Sequence, residues 1–181
     1  MPEEVVVLVD ARDNELGVAP KLQAHRDGVL HRAVSVFVVN ALGEMLLQRR
    51  ADGKYHSGGL WSNACCSHPR PGESPTTAAA RRLQEEMGLS CPLDFAFTFV
   101  YRAALGNGLT EHELDHVFVG TAGVDPVPDR EEVADWRWLS ISDLERELAT
   151  RPHTFTAWFP IAWRKLLEGW EAPLGREAAG L

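Results

Sequence analysis

The apolar positions change period along the chain, and each change marks an element. Val5 to Val9 is a short apolar run and reads as a strand. Residues 14 to 30 are mixed and predict a loop-rich stretch. Ala33 to Val39 and Met45 to Gln48 are apolar runs about Asn40-Ala-Leu-Gly43, a hairpin pattern. Gln48 to Pro71 is dense in Gly, Ser, Asn, His and Pro. It is too rich in turn formers for regular structure and too long for a connector, so it is a candidate functional loop. The clearest helix follows. Ser74 can cap it, Pro75 suits its first position and Gly88 ends it. At ~100° per residue, Thr76, Ala80, Leu83 and Met87 form its apolar face. Arg82 and Glu86 share a stripe at the margin of that face, while Glu85 points outward.

Phe95 to Tyr101 alternates, with Phe95, Phe97, Phe99 and Tyr101 on one side of a strand. Glu111 to Thr121 predicts another. Glu111, Glu113, Asp115 and Val117 share one side; His112, Leu114, His116 and Phe118 share the other. Trp136 to Leu139 reads as a short strand. Ser142-x-x-Glu145 is a capping box opening a helix to about Thr150. Trp158 to Leu167 is a last apolar helix, with Pro160 near its start and Gly169 after its end. Strands and helices alternate without a βαβ repeat. The expectation is one domain over residues 1–181 in the α/β (α+β) class: a mixed sheet with helices packed on both faces, and a loose tail after residue 170.

Composition narrows the function classes. The chain has 181 residues and a net charge of −8, which argues against a general nucleic-acid binder. No apolar run approaches the roughly 20 residues that span a bilayer. Met1-Pro-Glu-Glu lacks the start of a signal peptide. Three cysteines do not make a disulfide framework, so a reducing cytoplasm is expected. No heptad or symmetric apolar stripe is evident, and a monomer acting on a small molecule is the default.

Three groups of residues can carry chemistry. Cys66 and His68 sit two apart in the polar loop, an activated nucleophile or acid/base pair by type. A buried structural thiol is the plainer reading of Cys66. Zinc would want C-x₂₋₄-C pairs, which Cys65, Cys66 and Cys91 do not supply. Adjacent Cys65 and Cys66 must diverge, so at most one faces a site. Glu111 and Glu113 aim two carboxylates at one face. If that face is a cleft they need a cation, and His25, His31 and His68 would complete an N/O ligand set for a divalent metal. Lys21, Arg50, Lys54 and Arg82 are either ordinary surface charge or, if they converge, a phosphate clamp.

Residues 67–89 resemble the Nudix box, G-x5-E-x7-R-E-U-x-E-E-x-G-U with U aliphatic. Glu73, Arg81, Leu83, Glu85, Glu86, Gly88 and Leu89 match. The leading Gly falls on Ser67, and the Glu after Arg81 is Arg82. The second exchange replaces a metal-binding carboxylate by a cation and disfavours hydrolysis by a Nudix-type diphosphatase, the alternative reading.

From about Lys21 to Trp158 the chain resembles the type I isopentenyl-diphosphate isomerases, a Nudix-fold family. The residues that carry this are His25, His31, Arg49-Arg-Ala51, Trp61-Ser-Asn63, Cys66-Ser-His-Pro69, Gly72-Glu-Ser74, Tyr101-Arg102, Glu111-His-Glu113 and Trp158. The family loop usually reads Cys-Gly-His-Pro, so Ser67 would be strained if that position needs a positive φ.

The resemblance implies a Nudix core over about 30–165, preceded by a strand and metal-ligand loop over 1–31. It implies isomerisation of isopentenyl diphosphate to dimethylallyl diphosphate, with Cys66 and Glu113 as the acid/base pair and Tyr101 supporting Glu113. His25, His31, His68, Glu111 and Glu113 would bind Mn²⁺, Mg²⁺ or Zn²⁺. Glu86 and the backbone carbonyl of Cys66 would hold a Mg²⁺ travelling with the diphosphate. Lys21, Arg50, Lys54 and Arg82 would grip the diphosphate, and Trp158 would line the hydrocarbon pocket.

Overall fold

The computed structural model describes residues 4–169. The first apolar run forms β1 (Val5–Val9), which pairs antiparallel with β2 (Glu15–Pro20) and leads into a short helix, α1 (Lys21–Asp27). Residues 14–30 are therefore not loop-rich. The backbone bonds to β1, from Val5↔Pro20 to Val9↔Glu15, stabilise a strand whose own composition gives no signal. Next come β3 (His31–Val39), β4 (Met45–Arg50), β5 (Trp61–Ser62), β6 (Cys65–Ser67) and α2 (Pro75–Met87). The chain ends in β7 (Leu93–Gly106), β8 (Leu109–Thr121), β9 (Val133–Leu139), α3 (Ile141–Thr150), a 3₁₀ turn at Pro152–Thr154 and α4 (Phe159–Gly169). The tail predicted to be loose lies outside the described residues.

All nine positions of β3 are buried, as in a strand covered on both faces. It runs parallel to β8 from His31↔Glu113 to Val39↔Thr121, and antiparallel to β6. The β3–β4 hairpin is ladder-paired only at Val39↔Met45; β4 then pairs with β5 and β9. The sheet is mixed and nine-stranded. One face packs Val34, Val36, Leu46, Cys65 and Phe118 against Ala79, Leu83 and Met87 of α2. The other packs Phe37, Leu47, Tyr101 and Val117 against Leu144 of α3 and Phe159, Trp163 and Leu166 of α4. Helices on both faces are as expected.

Three local expectations are corrected. The buried face of α2 is Ala78, Ala79, Leu83, Glu86 and Met87, and Thr76 and Ala80 are exposed. The small Ala78 and Ala79 let the helix approach the sheet, which rotates its contact face. A bulge between Phe95 and Phe97 turns Phe95 away from Phe97, Phe99 and Tyr101, and its ring meets Phe118 at 5.7 Å. The cap of α3 is Ser140, not Ser142, accepting from the Asp143 amide at 3.2 Å. Glu145 instead accepts from the Trp163 indole and ties α3 to α4. Two further elements are also longer than read: β9 begins at Val133 and α4 runs to Gly169. Among the described residues no helix is long and apolar enough to cross a membrane.

Candidate active site

The parallel register of β3 and β8 builds the site. It sets His31 beside Glu113, and alternation on β8 sends Glu111, Glu113 and Asp115 to the face that also carries Tyr101 of β7. The turn-rich loop returns above them. Together they enclose a cavity of about 270 Å³ that Cys66, His68, Glu111, Glu113, Glu86 and Trp158 all help to line. Every sequence-predicted site residue lies at this cavity or in the histidine cluster beneath it, save Tyr101, which backs its two glutamates.

In that cluster His25, His31, His68 and Glu113 present ligand atoms within 4.8 Å of one another. The His25 and His31 Nδ1 atoms donate to the carbonyls of Lys21 (2.7 Å) and Val29 (2.9 Å), so each Nε2 carries a lone pair. Both Nε2 atoms are buried and lack a hydrogen-bond partner among the described residues. Such atoms are costly unless a cation meets them, and the donor set fits a divalent metal. Burial, only partly offset by Glu113, pushes the His68 imidazole down to about 4, which leaves it neutral.

Glu111 and Glu113 divide their roles electrostatically. Tyr101 Oη lies 2.5 Å from a carboxyl oxygen of each. Burial, reinforced by Glu113, pushes Glu111 well above the carboxylate range. Burial also acts on Glu113, but its hydrogen bond with His68 at 3.0 Å, with His31 close by at 3.6 Å, outweighs it and holds this carboxyl well below that range. One phenolic proton cannot serve both oxygens. A protonated Glu111 donating to Tyr101, which donates to an ionised Glu113, satisfies all three groups.

Cys66 is held as a thiol. Its Sγ donates to Asn63 Oδ1 at 3.0 Å and lies 3.4 Å from Ser35 Oγ, which donates to Asp115 at 2.6 Å. Asn63 is fixed as an acceptor because its amide donates to the carbonyls of Val36 and Cys65. Burial, with the nearby Asp115, pushes the thiol upward, so the thiol is the resting form. Ser67 is not among the residues with positive φ, and the strain expected there is absent.

The four cations converge on the cavity, but each already has a partner. Lys21 pairs with Glu4 at 2.7 Å and Lys54 with Glu132. Arg50 lies 5.3 Å from the Trp158 ring. Arg82 pairs with Glu85 (2.6 Å) and Glu86 (2.7 Å). It thereby neutralises two box carboxylates, while Gln48 holds the other oxygen of Glu86 at 3.0 Å. Arg81 grips Glu73 at 2.7 and 2.8 Å and closes the loop onto α2.

The sequence reading missed Glu4, Ser35, His56, Asp115 and Glu132 as site residues. His56 carried a signal, being a histidine inside the turn-rich loop. Asp115 shares a strand face with Glu111 and Glu113. Glu4 and Glu132 carried none.

Residues 29–159 match the family model described as NUDIX domain. The chain is 53% identical to isopentenyl-diphosphate Delta-isomerase 2 of Aromatoleum aromaticum, covering 86% of this chain and 82% of that protein. It is 48% identical to the isopentenyl-diphosphate Delta-isomerase of Pectobacterium atrosepticum, covering 95% and 96%. Among solved structures, DR0079 from Deinococcus radiodurans superposes with a TM-score of 0.76 at 17% identity, over 90% of this chain and 98% of that one, a likeness of fold. With the Nudix box folded as loop and helix, the chain belongs to the isopentenyl-diphosphate Delta-isomerase family of the Nudix fold.

Proposed function

We propose that the protein interconverts isopentenyl diphosphate and dimethylallyl diphosphate by adding a proton at one carbon and removing one at another. The observation that carries this is a single cavity lined at once by Cys66, Glu113, Trp158 and four cationic side chains. Moving a double bond needs two proton-transfer groups, and a thiol and a carboxyl supply them. Lys21, Lys54 and Arg82 exchange carboxylate partners for the diphosphate and Arg50 joins them, with bidentate contacts from the arginines. Trp158 faces the hydrocarbon and stabilises a tertiary carbocation by roughly 2 kcal/mol when desolvated. Trp158 and Tyr55 at the cavity would shield that cation from capture by water once the diphosphate is seated.

His25, His31, His68, Glu111 and Glu113 would hold the divalent metal, Mn²⁺, Mg²⁺ or Zn²⁺. When bound, it supplies the charge that offsets two carboxylates and acidifies the Glu113 carboxyl. Tyr101 orients Glu113 from below. Glu86 and the Cys66 carbonyl would meet a Mg²⁺ carried by the diphosphate. Arg82 itself supports isomerisation over hydrolysis, because it puts a cation at the box position where a hydrolase would place a metal-binding carboxylate. Three free cysteines support a cytoplasmic setting.

Isopentenyl diphosphate in D₂O, followed by NMR, tests this. The expected result is deuterated dimethylallyl diphosphate with no phosphate released. Phosphate or pyrophosphate release without isomer would favour the hydrolase.

A further inference from the structure

His56 lies outside the ligand set that the family resemblance assigns. It stands in the loop between β4 and β5 with its side chain almost fully buried, its ring edge-on to Trp158 at 5.8 Å and to Tyr55 at 4.4 Å. Its Nδ1 lies 3.2 Å from Ser57 Oγ, and Ser57 has a φ of 54°. A serine held in the left-handed region is a local cost, and here it turns the chain so that His56 points inward.

His56 Nε2 lies 3.8 Å from Glu111 Oε1, and His25 Nε2 lies 3.9 Å from the same oxygen. Neither distance is a hydrogen bond. Both suit two ligands of one ion: donors ~2.1 Å from a metal are about 3.0 Å apart at a right angle and about 4.2 Å apart in line. His25, His56 and Glu111 thus form a second group of close ligand atoms, and it shares His25 with the first.

A shared His25 decides how the two groups relate. Its Nδ1 proton is committed to the Lys21 carbonyl, and Nε2 has one lone pair, so it binds one ion. We propose that His56 is a further ligand of that same ion. The centre then has six protein donors: the imidazoles of His25, His31, His56 and His68, and the carboxylates of Glu111 and Glu113. A fourth imidazole biases the centre toward a transition ion and away from Mg²⁺. This inference rests on the metal-site reading of the proposed function.

The test is Co²⁺ titration of the chelator-stripped full-length protein, with binding read from the visible spectrum and from competition against a chelator. Wild type is expected to take up one Co²⁺ at the cluster with the weak absorption of a six-coordinate ion. His56→Ala and His56→Asn are expected to lose affinity by ~10-fold or more. Pulsed EPR of the Mn²⁺ form should count four imidazole nitrogens in wild type and three in His56→Asn, which bypasses any loss of folded His56→Ala. Unchanged affinity and spectrum in both variants, or three nitrogens in wild type, would overturn the role of His56 while leaving the centre standing. Two Co²⁺ ions at the cluster would overturn the single centre. A wild-type protein that takes up no Co²⁺ would remove the metal reading itself.

Discussion

Cys65 and Cys66 are consecutive on β6 yet lie on opposite faces of the sheet. Cys65 is fully buried in the cluster under α2, whereas Cys66 reaches the cavity and hydrogen-bonds to Asn63. The two thiols therefore predict different losses. Cys66→Ala removes the proposed proton-transfer group and is expected to slow isomerisation roughly 10²–10⁴-fold with the fold retained. Cys65→Ala is expected to cost about 1 kcal/mol of stability and little activity. Turnover assays and thermal melts on both variants check this; equal kinetic losses would refute the assignment.

Glu111 Oε1 lies 3.9 Å from His25 Nε2 and 3.8 Å from His56 Nε2, while its other oxygen lies 2.5 Å from Tyr101 Oη. Replacing Glu111 by Gln keeps the volume and removes the charge. The expected outcome is metal affinity weakened by ~10–100-fold in equilibrium dialysis. Unaltered metal content would take Glu111 out of the ligand set.

Gly88 ends α2 at φ 64°, and a Cβ there would lie 2.4 Å from the Val127 carbonyl oxygen. The neighbouring chain is tied to the helix end by Val127 N–H to Met87 O and Asp129 N–H to Glu86 O. Gly88→Ala must both adopt a left-handed conformation and push this segment away, at about 2 kcal/mol or more. A melting temperature lower by roughly 4–8 °C is expected in calorimetry.

Asp115 is buried between Ser35 and Glu113. Burial, then the charge of Glu113, raises its carboxyl to about 8 against an ordinary 3.8. Across that window the native state keeps a proton that the unfolded chain has released. Stability therefore falls as pH rises from about 4, and the loss is complete above about 8. Asp115→Asn abolishes this titration. In chelator-stripped protein, urea unfolding should show the variant gaining on wild type from pH 5 to pH 8.5. Parallel stability curves would mean that Asp115 is ionised at neutral pH.

The order of elements, the loop-and-helix box and the candidate residues were legible because they are local. Ser74, Pro75 and Gly88 bracket α2 by capping chemistry alone, and period-two alternation put Glu111 and Glu113 on one face. Pairing between distant strands is not local. The parallel register that sets His31 against Glu113 is decided by which buried faces fit, and β2 exists only because β1 lies beside it. The bulge that turns Phe95 aside leaves no mark in the alternation of aromatic residues. Nor do Glu4 and Glu132 announce the cations they neutralise, since ion pairs across the chain depend on three-dimensional proximity and not on spacing. The residue types supplied the chemistry of the site, while burial and strand register decided which of them meet and which hold a proton.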